Sequence, residues 1–112
     1  MTAIYIHDGT AIDHIPATAL PAGAVVVQGK LVGITPRPIP AGALGALLVE
    51  GVFDFPIAPG GTADTGTPVF WNPAANLAVL DGNLPGVVYC GVTAQPLAND
   101  DLAVRVLLNH PR

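Results

Sequence analysis

The sequence predicts an all-β protein: a single-domain β-sandwich or partly closed, jelly-roll-like barrel of about eight to ten strands, built as two related halves. Three observations predict it. A segment returns later in the chain in altered form: Gly33-Ile34-Thr35 matches Gly91-Val92-Thr93, Pro38-Ile39 matches Pro96-Leu97, and Leu44, Ala46 and Leu48 match Leu102, Val104 and Val106. Every pair keeps the offset 91 − 33 = 58, as one supersecondary unit built twice requires. The second observation is punctuation, since 13 glycines and 12 prolines stand between Val, Leu and Ile runs without the strict period of collagen. The third is the lack of any capped apolar run at helical spacing; the run 41–48 comes nearest, and its two glycines weaken it.

Taken in order, the chain opens on a short apolar arm at 1–5, a turn at His7-Asp8-Gly9 and a weakly alternating piece at 10–15, two short strands joined by that turn. A loop at 16–23 leads into the β-branched run Ala24-Val25-Val26-Val27-Gln28. Gly29-Lys30 then turns the chain into Leu31-Val32-Gly33-Ile34-Thr35, which makes a hairpin. Pro36, Pro38 and Pro40 fall on alternate residues, so their missing N–H groups lie along one edge; the segment reads as an edge or crossover that does not pair. Two extended pieces follow within 44–55, parted by a bend at Glu50-Gly51.

The stretch 56–66 is the clearest loop and separates the halves. Thr67 to Trp71 corresponds to Ala24 to Gln28, and Leu77 to Leu80 completes a hairpin that the first half lacks. A strongly apolar strand at 86–94, a crossover at Gln95-Pro96-Leu97 and a turn at Asn99-Asp100-Asp101 lead to the last strand, 102–108. There Leu102, Val104, Val106 and Leu108 share one face and Arg105 points the other way. The expected organisation is one domain, 1–112, with an N-terminal arm and hairpin at 1–22, a first half at 23–56 and a second half at 66–109 carrying the extra hairpin near 69–80.

Composition narrows the function. A chain of 112 residues has room for one modest core. Only 11% of its residues are charged against 51% hydrophobic, so much of the exterior is apolar or Gly/Pro, a surface that is normally covered. Net charge is −4, and the basic residues number four, Lys30, Arg37, Arg105 and Arg112; no stripe of them exists to neutralise phosphates, and neither nucleic acid nor a membrane is an expected partner. The single Cys90 forms no intrachain disulfide and reads as a small buried hydrophobe. With no leader-like start and no long apolar run, a cytosol-like compartment, or a particle assembled there, is expected.

Chemistry is sparse. His7, Asp8, Asp13 and His14 supply two imidazoles and two carboxylates suited to zinc or manganese. Their spacing does not place ligands on one face, and the bland reading is a turn followed by a solvated strand. Asp100-Asp101 reads as turn chemistry, Pro59-Gly60-Gly61-Thr62 lacks the Lys and helix of a phosphate loop, and the absence of serine excludes a serine nucleophile. Phe53, Phe55, Phe70 and Trp71 are expected in the core or in packing between subunits. No catalytic residue, metal site or cofactor is assigned.

Four stretches together resemble a known family. Gly29 to Ile34 (G-K-L-V-G-I), Glu50 to Pro56 (E-G-V-F-D-F-P), Gly66 to Asn72 (G-T-P-V-F-W-N) and Ala103 to Leu108 (A-V-R-V-L-L) are similar, in order, to the pattern of the capsid cement (decoration) proteins of tailed phages and prophages. Phe70 and Asn72 depart from that pattern, which carries Tyr and Asp there, and the Pro36, Pro38, Pro40 run is unusual for it. The resemblance implies a non-enzymatic virion protein, assembled in the host cytoplasm, that sits on the capsid exterior. Its partners are the major capsid protein and further copies of itself, a trimer ahead of a dimer. Within that reading Met1, Thr2, Ala3, Ile4, Tyr5 and Ile6 are the expected capsid contacts. The alternatives are a small metal- or ligand-binding β-barrel module or enzyme using His7, Asp8, Asp13 and His14, and a phage tail or baseplate adaptor.

Overall fold

The computed structural model describes residue 3 and residues 10–110. Among these residues the protein is all-β, with nine strands in two antiparallel sheets and no helix. The strands are β1 (Ala11–His14), β2 (Val25–Gln28), β3 (Leu31–Ile34), β4 (Gly45–Leu48), β5 (Val52–Pro56), β6 (Pro68–Asn72), β7 (Leu77–Val79), β8 (Val88–Thr93) and β9 (Ala103–Leu108). The first sheet has the order β1-β4-β3-β2 and the second β5-β9-β8-β6-β7. They face one another as a sandwich; neither closes into a barrel.

The two orders are the same order, with β7 added. The outer registers agree, Asp13 pairing with Ala46 as Phe55 does with Val104 and Val25 with Ile34 as Pro68 does with Val92, while the middle pairs differ by one residue, Ile34 standing opposite Leu48 but Val92 opposite Leu107. The offset is therefore 104 − 46 = 58 for β3 and β4 against β8 and β9, but 55 − 13 = 42 for β1 against β5 and 68 − 25 = 43 for β2 against β6. The jump from 43 to 58 is the 15-residue insertion that holds β7. The expected first half, 23–56, spans both sheets, because the chain crosses between them at Gly51, where φ is 125°, and β5 joins the second.

Hydrogen bonds repeat along with the strands. Buried Thr35 donates its hydroxyl to the Pro21 carbonyl at 2.6 Å and accepts the Ala24 N–H at 2.9 Å. Buried Thr93 donates to the Asp64 carbonyl at 2.6 Å and accepts the Thr67 N–H at 3.0 Å. In each case the loop turns through a glycine with positive φ, Gly23 or Gly66, whose N–H reaches the threonine carbonyl at 2.7 or 2.8 Å. Only a residue without Cβ takes that left-handed conformation without cost.

One expectation is corrected. The Pro36–Pro40 segment does pair: Ile39 exchanges both backbone hydrogen bonds with Leu20, each 2.9 Å long. In an extended chain the N–H and C=O of Ile39 point away from the edge that Pro38 and Pro40 block, so the prolines silence one side only. The bridge Ala63↔Leu97 is its counterpart in the second half.

The core lies between the sheets. Val32 and Ile34 of the first sheet meet Phe55, Ile57, Val69, Trp71, Cys90, Val104, Val106 and Leu108 of the second, with Phe55 and Trp71 edge to face at 5.8 Å. Apolar burial of this kind stabilises by roughly 25 cal/mol per Å². A second apolar centre lies on the other face of the first sheet, where fully buried Leu47 fills the space beside Gly33 and Ile39 packs over Gly45. Asn109, at φ 55°, ties the sheets at one end: its side-chain amide donates to the carbonyls of Val32 and Val49, both at 2.9 Å.

Candidate docking surface

Of the residues singled out for metal chemistry, the two that the structure describes do not converge. His7 and Asp8 lie outside the described residues. Asp13 and His14 are neighbours in β1 and so face opposite sides of the sheet. His14 is engaged elsewhere, with Nδ1 2.6 Å from Gln28 Oε1. The Gln28 amide is oriented by its other end, Nε2, which donates to the Asp13 carbonyl at 3.2 Å, so Oε1 must accept and His14 Nδ1 must carry the proton. Among the described residues no cluster of three or more His, Cys, Asp or Glu is placed to hold a metal ion.

Of the arm, Ala3 is described and exposed; Met1, Thr2, Ile4, Tyr5 and Ile6 lie outside the described residues. Phe55, Phe70 and Trp71 are buried, Phe70 stacking edge to face on Tyr89 at 5.8 Å, and Phe53 is half-buried against the core. Tyr89 in turn donates its hydroxyl to the His110 carbonyl. Cys90 is fully buried with Sγ 3.3 Å from the Val69 carbonyl, and burial pushes its thiol up to about 12. Asp101 serves its turn, accepting the Ala98 N–H at 2.8 Å.

Among the described charged groups one ion pair stands out. Arg105 grips Asp54 through two parallel hydrogen bonds, Nε to Oδ1 at 3.0 Å and Nη2 to Oδ2 at 3.2 Å, on the outer face of the second sheet. The guanidinium hydrogen bonds hold the Asp54 carboxyl below its ordinary value. Since both side chains stay about half exposed, this is a surface pair of small energetic weight.

The conspicuous surface groups are apolar. Leu44 and Leu102 are 67% and 68% exposed, and the repeat places them at equivalent positions, 102 − 44 = 58, each just after a tight turn closed by a backbone bond of 3.1 Å (Ala43 to Pro40, Asp101 to Ala98). Beside Leu44, across the end of the β1–β4 ladder, stands Ile15 at 62% exposure. Leu44 also edges a shallow cleft walled by Pro36, Pro38 and Pro40. Sequence reasoning did not single out these side chains, although the 58-residue repeat contained both leucines.

The described residues thus form a small sandwich of two similar sheets that offers outward leucines and hydrogen-bonded turns. The chain belongs to the phage cement protein family, whose sequence model matches residues 6–108, and with it to a class of structural, capsid-associated phage proteins. No curated protein and no solved structure matches it.

Proposed function

We propose that this protein binds the outer surface of a phage capsid as a symmetric homo-oligomer and cements neighbouring major capsid proteins, performing no reaction of its own. The family match over nearly the whole chain carries this reading. The surface supports it, since outward Leu44 and Leu102 in a chain with 11% charged residues gain by being covered, and burying one leucine is worth roughly 1.5–3 kcal/mol. A ligand that binds only the assembled shell adds its binding free energy to the stability of that shell. Assembly in the host cytoplasm and placement on the virion exterior belong to the same reading, as does the arm, residues 1–6, as a segment laid against the shell.

The test is addition of the purified protein to shells that lack it. Saturable binding and a higher temperature of shell disruption are expected, with both reduced in Leu44→Asp and Leu102→Asp. Shells that neither bind the protein nor gain stability refute the proposal, and stoichiometric zinc or manganese in the purified protein would favour the metal-binding alternative.

A further inference from the structure

The duplication makes the two sheets comparable strand by strand, and the comparison leaves one strand over. In the second sheet β7 pairs antiparallel with β6, and Ala78 at its centre also bridges in parallel to Ile57, just beyond β5. So β7 fills the gap between β6 and the end of β5. The equivalent gap in the first sheet lies between β2 and the end of β1, and no strand fills it among the described residues. The residues that flank Ala78 are Trp71 and Ile57; Ile57 is equivalent to Ile15, by 57 − 42, and because a bulge shifts the register between Val69 and Phe70, Gln28 opposite Leu31 corresponds to Phe70 opposite Tyr89, one residue before Trp71.

Two observations show the gap to be open among the described residues. Ile57 is 6% exposed beneath β7, whereas Ile15 is 62% exposed. The mouth is spanned by side chains in place of backbone: Gln28 reaches across to His14 Nδ1 and to the Asp13 carbonyl, its amide standing in for a peptide group. β1 and β2 are edge strands, and an extended peptide adds to such an edge through main-chain hydrogen bonds.

We propose that this gap receives a strand from a second copy of the chain, formed by its residues 1–6 and running as β7 does, antiparallel to β2 and parallel to β1. Six extended residues reach about 20 Å, more than the four-residue β2 requires. Ile4, Tyr5 and Ile6 are strand formers. The donor is another copy because of polarity. Strands joined in parallel need a crossover of about a dozen residues, and only residues 7–10 separate the segment from β1 of its own chain. The inference rests on the homo-oligomeric capsid reading and deepens it: backbone edges join copies while one face of the alternating side chains stays free for the shell.

The experiment uses full-length chains with Ile4 replaced by photoreactive benzoylphenylalanine. Nitrogen-15-labelled and unlabelled chains are unfolded, mixed, refolded together and irradiated, both in solution and on shells. Cross-links from position 4 to peptides containing Val25–Gln28 that join a heavy chain to a light one are the expected result. Ile15→Lys, a change at an exposed position, should lower their yield ~10-fold by charging the floor of the gap. Cross-links that join only like-labelled chains, that fall elsewhere, or that are absent in both settings overturn the inference. Shell occupancy is measured on the same samples: normal occupancy without these cross-links removes the strand exchange alone, and cross-links without occupancy remove the capsid reading and leave the exchange standing.

Discussion

Replacing Thr35 and Thr93 by valine, one at a time, tests the duplicated threonine latch. Valine keeps the shape and deletes the hydroxyl, so the cost is that of the backbone groups left behind, ~1–3 kcal/mol for each buried group stranded without a partner. The two sites are not equally robust. Loss of the Thr35 hydroxyl removes the bonds shown for both the Pro21 carbonyl and the Ala24 N–H. At the second site the Asp64 carbonyl still accepts the Thr67 hydroxyl at 2.7 Å, and the Thr67 N–H still reaches that carbonyl at 3.3 Å. Since Pro21 is exposed and water can reach it, the expected costs are about 2 kcal/mol for Thr35→Val and about 1 kcal/mol for Thr93→Val. Urea unfolding of the isolated protein reads both as shifts in midpoint at unchanged slope. Equal costs, or the reverse order, would show that the spare bonds around Asp64 and Thr67 do not share the load.

Asn109→Ala should cost about 2 kcal/mol by stranding the carbonyls of Val32 and Val49, and near-wild-type unfolding would remove the inter-sheet tie from the account. The Asp54 carboxyl is held below its ordinary value of 3.8, so its contribution is complete above that pH and drains away as pH falls through the lower folded value. Asp54→Asn should therefore flatten the acid limb of stability against pH, an effect that salt suppresses and that differential scanning calorimetry across pH measures. Cys90, with its thiol raised to about 12 and no exposure, should resist thiol reagents at pH 8 in the folded protein and react at once in urea; rapid labelling without urea would contradict its burial.

Periodicity and punctuation exposed most of the architecture, because each half is written in short β-branched runs closed by Gly, Pro and Asn. The hairpin at Gly29-Lys30, the bend at Glu50-Gly51 and the alternation of the last strand are local signals. The 58-residue repeat was legible because β3, β4 and the loop between them carry similar residues in both halves. The equivalence of β1 with β5 and of β2 with β6 was less legible, since the β7 insertion shifts the offset and Val26-Val27-Gln28 shares little with Val69-Phe70-Trp71. Pairing of Ile39 was hidden by the prolines on either side, whose effect on one edge says nothing about the other. The latches of Thr35 and Thr93 and the tie of Asn109 bond to backbone carbonyls far away in sequence, and backbone partners leave no signature in residue type. The outward leucines read as ordinary strand residues, Leu102 sharing a face with Val104, Val106 and Leu108, whereas the fold places both just ahead of their strands, exposed at the ends of turns.

A reconstruction of intact virions carrying this chain bears most directly on the proposed role. The account predicts density for a pair of stacked β-sheets on the outside of the shell, repeated by lattice symmetry, with Leu44 and Leu102 covered by protein. Density confined to the tail, or a shell exterior without it, would contradict that role.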